Sequence, residues 1–164
     1  MSCNPHKHHR RSIRLKEYDY SQPGGYYITI CTQNREMLFG DIEKGKMILN
    51  EIGKIVKNYW LKIPDLRSYI ELDEFIIMPN HFHGIMIIKE NSNNVRATES
   101  VAPTLKAHSI GSILGQFKST TTKEIQKTLI PHFKWQRNYY EHIIRDEPDL
   151  NRIRRYIKEN PLKW

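Results

Sequence analysis

Two apolar runs separated by a short break restrict the fold more than any other feature of this sequence. The first run covers residues 69–78, the second covers residues 84–88, and Met78-Pro79-Asn80 forms the break. Runs of this length that are rich in β-branched and aromatic residues indicate strands, and a proline followed by asparagine indicates a turn. The pattern predicts two strands arranged as a hairpin, which argues against an all-parallel sheet.

The other predicted elements surround this hairpin. In chain order they are a strand over 26–32, a helix over 46–62, the two hairpin strands, a helix over 110–129, a strand over 135–144 and a last helix between Asp146 and Pro161. Strands and helices that alternate around an antiparallel hairpin are typical of α+β folds. We therefore expect an antiparallel, ferredoxin-like sheet with helices packed on one face.

The domain organisation follows from length and local composition. A chain of 164 residues suits one domain. We interpret residues 1–16 as a flexible basic arm and 17–164 as a single domain with a mobile connector at 90–108. The N-terminus has no apolar segment typical of a secretory signal, and the chain has only two cysteines. This excludes a disulfide framework and a four-cysteine zinc site, and it predicts a cytoplasmic location.

The charge balance points to a polyanionic partner. Lysine and arginine total 26 against 18 aspartate and glutamate, which gives a net charge of +8. Nucleic acid is the usual partner of such a charge, and no apolar run approaches the ~20 residues of a membrane span. The alternative is a basic protein whose charge serves only its solubility.

A histidine pair directly follows the break between the two apolar runs. His81 and His83 are two residues apart at the start of a predicted strand, so their side chains share one face while Phe82 points to the other. Neutral imidazoles in this arrangement can bind one first-row divalent metal ion. The alternative is two histidines on a half-exposed strand without a ligand.

The last helix carries a second candidate pair. Tyr156 and Asn160 are four residues apart and share a helix face beside an apolar stripe suited to core packing. The alternative is a tyrosine at the core boundary with its hydroxyl in water, and an asparagine that only ends the helix before Pro161. The stripe consists of Leu150, Ile153 and Ile157.

These motifs together resemble one protein family. The sequence Met-Pro-Asn-His-x-His-Gly at 78–84, followed by Tyr-Ile-x-x-Asn-Pro at 156–161, is similar to the single-tyrosine HUH transposases, in particular the REP-associated tyrosine transposase branch with its insertion-sequence-type domain. Nearly the whole chain takes part in the resemblance. Its further matching stretches are 18–35, 75–77, 117–119 and 135–145.

The resemblance implies a fold, a site and an activity. It implies a ferredoxin-like core on which His81 and His83 bind a divalent metal, Asn160 is the third protein ligand and Tyr156, on the C-terminal helix, is the nucleophile. Members of the family cleave single-stranded DNA at hairpin-bearing, REP-like sites and transfer strands through a covalent 5′-phosphotyrosine, which is DNA transposition. The resemblance also implies a homodimer, located with bacterial DNA in the cytoplasm, in which the tyrosine helix can come from either copy.

The chemistry of these residue types refines the expectation. A site of imidazole nitrogens and an amide oxygen suits Mg²⁺ or Mn²⁺. A phosphotyrosine conserves the energy of the broken bond, so we expect no ATP, and no Walker-type glycine loop is found. His142 and Arg152 are candidates for supporting the metal and the phosphate. The candidate DNA contacts are Arg10, Arg11, Arg14, Lys118 and Arg137.

Two other functions fit parts of the pattern. One is a non-catalytic DNA-hairpin-binding module derived from a transposase, for which the set of histidines, tyrosine and asparagine would have no use. The other is an RNA-binding sheet of similar topology. The usual signature of that class is a strand with glycines and aromatic residues, and the strand after His83 lacks those aromatics.

Overall fold

The computed structural model describes residues 18–90 and 108–164. The predicted arm at 1–16 and residues 91–107 of the predicted connector lie outside these ranges. The described elements are β1 (Gly24–Cys31), a 3₁₀ turn (Gln33–Arg35), β2 (Gly40–Glu43), β3 (Lys46–Leu49), α1 (Glu51–Leu61), α2 (Ile63–Leu66), β4 (Ile70–Met78), β5 (His81–Ile88), α3 (Ile110–Thr128), β6 (Tyr140–Ile144), α4 (Glu147–Glu159) and a 3₁₀ turn (Asn160–Lys163).

Four of the strands form one antiparallel sheet in the order β4-β5-β1-β6. The helices α1 and α3 connect its strands, so the order β1, α1, β4, β5, α3, β6 is that of the ferredoxin-like arrangement. The predicted hairpin is the β4–β5 pair, in which Met78 lies opposite His81. The α+β, ferredoxin-like fold expected from the sequence is therefore confirmed. No helix in the described ranges is both long enough and apolar enough to cross a membrane.

The two faces of the sheet are covered by different helices. On one face Tyr26, Ile28 and Phe82 join the main core together with Trp60 of α1 and residues of α3. On the opposite face a smaller apolar cluster forms where α4 packs on the sheet; its fully buried members are Ile85, Ile153 and Ile157. The expectation that all helices pack on one face is thus wrong for α4. The residues that alternate along the central strands are apolar on both faces of the sheet, so each face is covered by helices.

The region before α1 also differs from the sequence prediction. Residues 46–49 form β3 and pair with β2, whereas their apolar spacing predicted the start of a helix. Lys44 and Gly45 adopt positive φ at the tip of this hairpin. The helix begins only after Asn50, whose side chain accepts a hydrogen bond from the Gly53 N–H at 3.0 Å. An N-cap of this type fixes where the helix starts.

The predicted strand over 135–144 is shorter than expected. Only Tyr140–Ile144 pairs with β1, and Trp135 forms an isolated bridge with Thr32. Between them the backbone carbonyl groups of residues 136–138 all accept hydrogen bonds from the Lys118 ammonium group. These carbonyls bond to a side chain of α3, and residues 136–138 take no part in the pairing with β1.

Candidate active site

The histidine pair lies at the start of β5, on the same side of the sheet as α4. Phe82 between them is fully buried in the main core, and the two imidazole rings are 4.6 Å apart, centroid to centroid. The structure thus has the geometry expected from the His-x-His spacing. Two imidazoles at this distance can reach one ion.

The hydrogen bond of His81 fixes which ring nitrogen carries the proton. His81 Nδ1 lies 2.7 Å from Asn80 Oδ1, while Asn80 Nδ2 donates to the Arg35 carbonyl oxygen at 3.2 Å. The second contact orients the amide, so Oδ1 must be the atom that faces the histidine. Because an amide oxygen only accepts, Nδ1 carries the proton and Nε2 keeps its lone pair.

His83 has an unsatisfied ring nitrogen. Its Nδ1 is 2.8 Å from both the Tyr27 hydroxyl and the Thr29 hydroxyl, each of which can accept the Nδ1 proton. Its Nε2 is buried and has no hydrogen-bond partner among the described residues. With the proton on Nδ1, Nε2 carries a buried lone pair without a partner, which is costly and which a cation would satisfy. This nitrogen is the structural observation that fits a metal ion.

Both imidazoles are held in the neutral form that metal binding needs. Burial lowers the pKa of His81 to about 4, with a smaller contribution from the charge of Arg35. Burial lowers the pKa of His83 to about 3, with a smaller contribution from His81. At neutral pH each ring therefore keeps one unprotonated nitrogen, which a cation can bind without displacing a proton.

The C-terminal helix places Tyr156 directly against His83. The ring centroids of these two residues are 5.4 Å apart, and the Tyr156 ring also meets Tyr27 edge-on at 6.3 Å. Ile153 and Ile157, on the buried side of α4, hold the helix on the sheet. Tyr156 itself remains 43% exposed, so its side chain is both anchored to the histidine and accessible to a ligand.

Asn160 closes α4 and is buried, with 9% of its surface exposed. The 3₁₀ turn that it begins leads to Trp164, whose ring lies 5.9 Å from that of His81. The turn therefore borders the histidine pair. No group of three His, Cys, Asp or Glu side chains suited to a metal is found in 18–90 and 108–164.

His142 and Arg152 meet at Asp149, in the first turn of α4. His142 Nε2 is 2.7 Å from Asp149 Oδ2, and Arg152 forms an ion pair with the other carboxylate oxygen. His142 lies opposite Tyr27 in the β1–β6 register and so shares the face of the site. Burial raises the pKa of Tyr27 to about 12, and the charge of Arg152 acts against this shift. Both sequence candidates thus lie beside Tyr27.

The candidate DNA contacts fall in different places. Lys118 lies on α3, and its ammonium donates to the carbonyl groups of residues 136–138, the shortest contact being 2.6 Å to the Gln136 oxygen. Burial lowers its pKa to about 8. This arrangement gives Lys118 a structural role that needs no phosphate. Arg137 is exposed, and Arg10, Arg11 and Arg14 lie outside the described residues.

Two ion pairs that the sequence reasoning missed hold α4 against the edge strand. Arg154 binds Asp73 through two guanidinium nitrogens, and Lys158 is 2.8 Å from a carboxylate oxygen of Glu74. Tyr27, Thr29 and Asn80 were also missed. The sequence pattern could have predicted Tyr27 and Thr29, since the alternation along β1 puts them on the face opposite Ile28. No sequence pattern predicts the two ion pairs.

The chain has relatives among transposases. No family model matches. It is 46% identical over 164 residues to an uncharacterized Haemophilus influenzae protein, covering 96% of this chain and 91% of that one. It is 27% identical over 145 residues to another H. influenzae protein, which is assigned as a REP-associated tyrosine transposase. This match covers 88% of this chain and 74% of that one.

Solved structures give the same picture of the fold. A REP-associated tyrosine transposase bound to a REP hairpin superposes with a TM-score of 0.63 at 19% identity, covering 92% of this chain and 73% of that one. A Deinococcus radiodurans protein assigned as a transposase superposes with a TM-score of 0.50 at 17% identity, covering 90% and 98%.

Proposed function

We propose that this chain cleaves and rejoins single-stranded DNA with Tyr156 as the nucleophile, because it belongs to the transposase-type family that includes the REP-associated tyrosine transposases. The observation that carries the proposal is the buried, unpartnered Nε2 of His83, whose ring contacts both the His81 ring and the Tyr156 ring. A cation site and an accessible phenol side by side suit phosphoryl transfer.

The reaction of Tyr156 balances without a further reactant. Its phenolic oxygen attacks a backbone phosphorus, forms the oxygen–phosphorus bond of a 5′-phosphotyrosine and loses its proton to water. The bond from phosphorus to the 3′ oxygen breaks, and this oxygen takes up a proton to become a 3′-hydroxyl. In strand transfer a 3′-hydroxyl attacks the same phosphorus and releases the tyrosine. One ester replaces another in each step, so no ATP is needed.

The residues around Tyr156 prepare this chemistry. His81, His83 and the Asn160 side chain would hold Mg²⁺ or Mn²⁺, which when bound neutralises phosphate charge and stabilises the leaving oxygen. The Nδ1 contacts of His83 to Tyr27 and Thr29 direct its Nε2 into the site. Ring contact with His83 keeps Tyr156 beside the histidine pair, which reduces the entropy cost of reaching the phosphate.

The substrate part of the proposal is a hairpin-bearing, REP-like single strand. The solved relative is bound to a REP hairpin, and a chain with net charge +8 attracts a DNA backbone. We include in the proposal a homodimer associated with the bacterial nucleoid. Within one chain α4 already packs on its own sheet, so Tyr156 reaches His83 without a second copy.

A covalent-adduct assay tests the function. The protein is incubated with labelled single-stranded DNA from the sequence flanking its gene, with Mg²⁺, Mn²⁺ or EDTA, and denatured before electrophoresis. We expect a shifted band that EDTA removes and that Tyr156→Phe and His81→Ala abolish. Tyr59→Phe is the matched control, because Tyr59 lies on α1, which packs on the other face of the sheet.

The outcomes separate the proposal from its main alternative. A band that persists in Tyr156→Phe would assign the nucleophile elsewhere. Hairpin binding without any band, for DNA that spans both flanks of the gene and with either metal, would instead identify a non-catalytic hairpin-binding module. Equal binding to DNA and RNA copies of the hairpin would point to the third, RNA-binding class.

A further inference from the structure

Arg35 is an exposed cation beside the histidine pair, and it has no role in the proposed reaction. Its carbonyl accepts from Asn80 Nδ2, and Asn80 Oδ1 accepts from His81 Nδ1, so one amide side chain joins the arginine to the histidine. No hydrogen bond or ion pair joins its guanidinium to another described side chain, and its charge is felt at His81. A fixed backbone with an unpaired cation suits binding of an external anion.

The backbone of this turn is held in an unusual conformation. Asn34 and Arg35 have φ angles of 55° and 56°, the left-handed region that a side chain as large as arginine rarely adopts. The turn is fixed to the segment before His81 by further hydrogen bonds, from Leu38 N–H to the Pro79 oxygen at 2.8 Å and from the Thr32 hydroxyl to the Asn80 oxygen at 3.0 Å. Strain that the surroundings stabilise in this way is typical of functional turns.

Trp164 lies on the His81 ring from another direction. The two ring centroids are 5.9 Å apart with 35° between the planes, and half of the tryptophan surface is exposed. The other two tryptophans, Trp60 and Trp135, are buried in the core. An exposed indole next to the proposed metal-binding histidines is suited to stacking on a nucleobase.

We infer that Arg35 and Trp164 bind one nucleotide of the single strand next to the reacting phosphate, the guanidinium contacting a backbone phosphate and the indole stacking on the base. This inference rests on the proposed function, because it takes single-stranded DNA as the substrate. Both residues lie beside His81, so a DNA strand that they bind would run next to the histidine pair and Tyr156. A phosphate contact and a stacked base together recognise a single strand, since the bases of a duplex are not available for stacking.

The test compares two DNA ligands on the full chain carrying Tyr156→Phe, so that no covalent step interferes. One ligand is a labelled hairpin with a single-stranded extension from the DNA flanking the gene, and the other is the same hairpin without the extension. Affinity is measured by fluorescence anisotropy at several salt concentrations. Arg145→Ala, an exposed arginine directly after β6, is the matched control.

We expect Arg35→Ala to weaken binding of the extended hairpin about tenfold and to lower the slope of log affinity against log salt by about 0.7, the value for one phosphate contact to a single strand. We expect Trp164→Ala to weaken it about tenfold and Trp164→Phe much less, because phenylalanine can still stack. DNA binding should quench tryptophan fluorescence, and Trp164→Phe should remove the quenching.

The results that overturn the inference are distinct from those that overturn the proposed function. Unchanged affinity in both alanine variants, or equal losses with and without the extension, would remove the nucleotide site while leaving the adduct chemistry of Tyr156 untouched. If the Tyr156→Phe protein binds neither ligand and the unmodified chain forms no adduct, the inference and the proposed function fall together.

Discussion

Arg154 on the tyrosine helix binds Asp73 on the edge strand through two guanidinium nitrogens, with Nε 3.0 Å from Oδ1. Asp73 lies in a β-bulge, since residues 73 and 74 of β4 together oppose only Ile85 of β5. The bulge allows two successive carboxylates, those of Asp73 and Glu74, to reach α4. The edge strand thereby holds the helix that carries Tyr156.

We expect Asp73→Asn to loosen α4 and to reduce adduct formation about fivefold, because the ion pair is replaced by a contact between the Arg154 guanidinium and an uncharged amide. The melting temperature should fall by about 2–4 °C. The hydrogen bonds from Arg154 hold the pKa of Asp73 below its usual range, so this stabilisation is fully present above the ordinary aspartate pKa of ~3.9 and is lost as pH falls through the lowered value. Thermal melts and single-turnover adduct rates at several pH values measure both effects.

The matched control for this pair is Glu159→Gln. Glu159 pairs with Lys163 on the surface at the end of α4, and both side chains are far more exposed than Asp73. Exposed pairs of this kind contribute little to stability. Equal changes in the two variants would show that Asp73 has no special part in holding the helix.

The histidine pair should make the stability of the protein depend on pH between about 3 and 6.5. Burial lowers the pKa of His81 to about 4 and of His83 to about 3, whereas an unfolded histidine titrates near ~6.5. The unfolded chain therefore binds more protons in this window, so stability falls as pH drops below ~6.5, by at most about 1.4 kcal/mol per pH unit for each histidine.

Urea unfolding measured from pH 4 to pH 8 checks this dependence. His83→Gln should reduce the slope below pH 6.5, and His132→Gln, an exposed histidine after α3, should leave it unchanged. Binding of Mn²⁺ to the folded protein should stay constant down to about pH 5, since the lone pairs of the site remain unprotonated. A loss of metal affinity already at pH 6.5 would contradict the neutral, buried state of the pair.

Two glycines should respond to alanine in opposite directions. A Cβ added at Gly84 would lie 2.6 Å from Phe82 Cζ and 2.7 Å from Trp60 Cζ2, so Gly84→Ala overfills the contact between β5 and α1. We expect a loss of about 1–3 kcal/mol. A Cβ at Gly115, on the exposed side of α3, meets nothing within 4 Å, and Gly115→Ala should stabilise by about 0.5–1 kcal/mol. Denaturant unfolding of both variants tests the packing; a neutral Gly84→Ala would contradict it.

Arg152 should contribute to the reaction rate more than to DNA affinity. Its guanidinium is held by Asp149 one turn before Tyr156, and its charge acts on Tyr27. We expect Arg152→Ala to slow adduct formation about tenfold with little change in the dissociation constant, because a cation near the reacting oxygens stabilises charge that develops in the transition state. Arg155→Ala, an exposed arginine on the same helix, is the control, and similar effects of both variants would indicate only general attraction of DNA.

Several features of the fold and site were predictable because they depend on local periodicity. The strand period of two places His81 and His83 on one face with Phe82 on the other, and this holds wherever the strand lies in the sheet. The hairpin and the order of strands and helices followed from apolar runs and breaks, which led to the ferredoxin-like sheet. The helical period likewise separated Tyr156 from the buried stripe of α4.

Other features were decided only by contacts between residues far apart in the sequence. Pairing with β2 made residues 46–49 a strand, although their apolar spacing also fits a helix. The side of the sheet taken by α4 depends on Ile85 meeting Ile153 and Ile157, and that choice brings Tyr156 to His83. The orphaned Nε2 of His83 and the placement of Arg35 and Trp164 around His81 also arise in this way. Burial and hydrogen-bond saturation are properties of the packed chain, so periodicity along the sequence does not encode them.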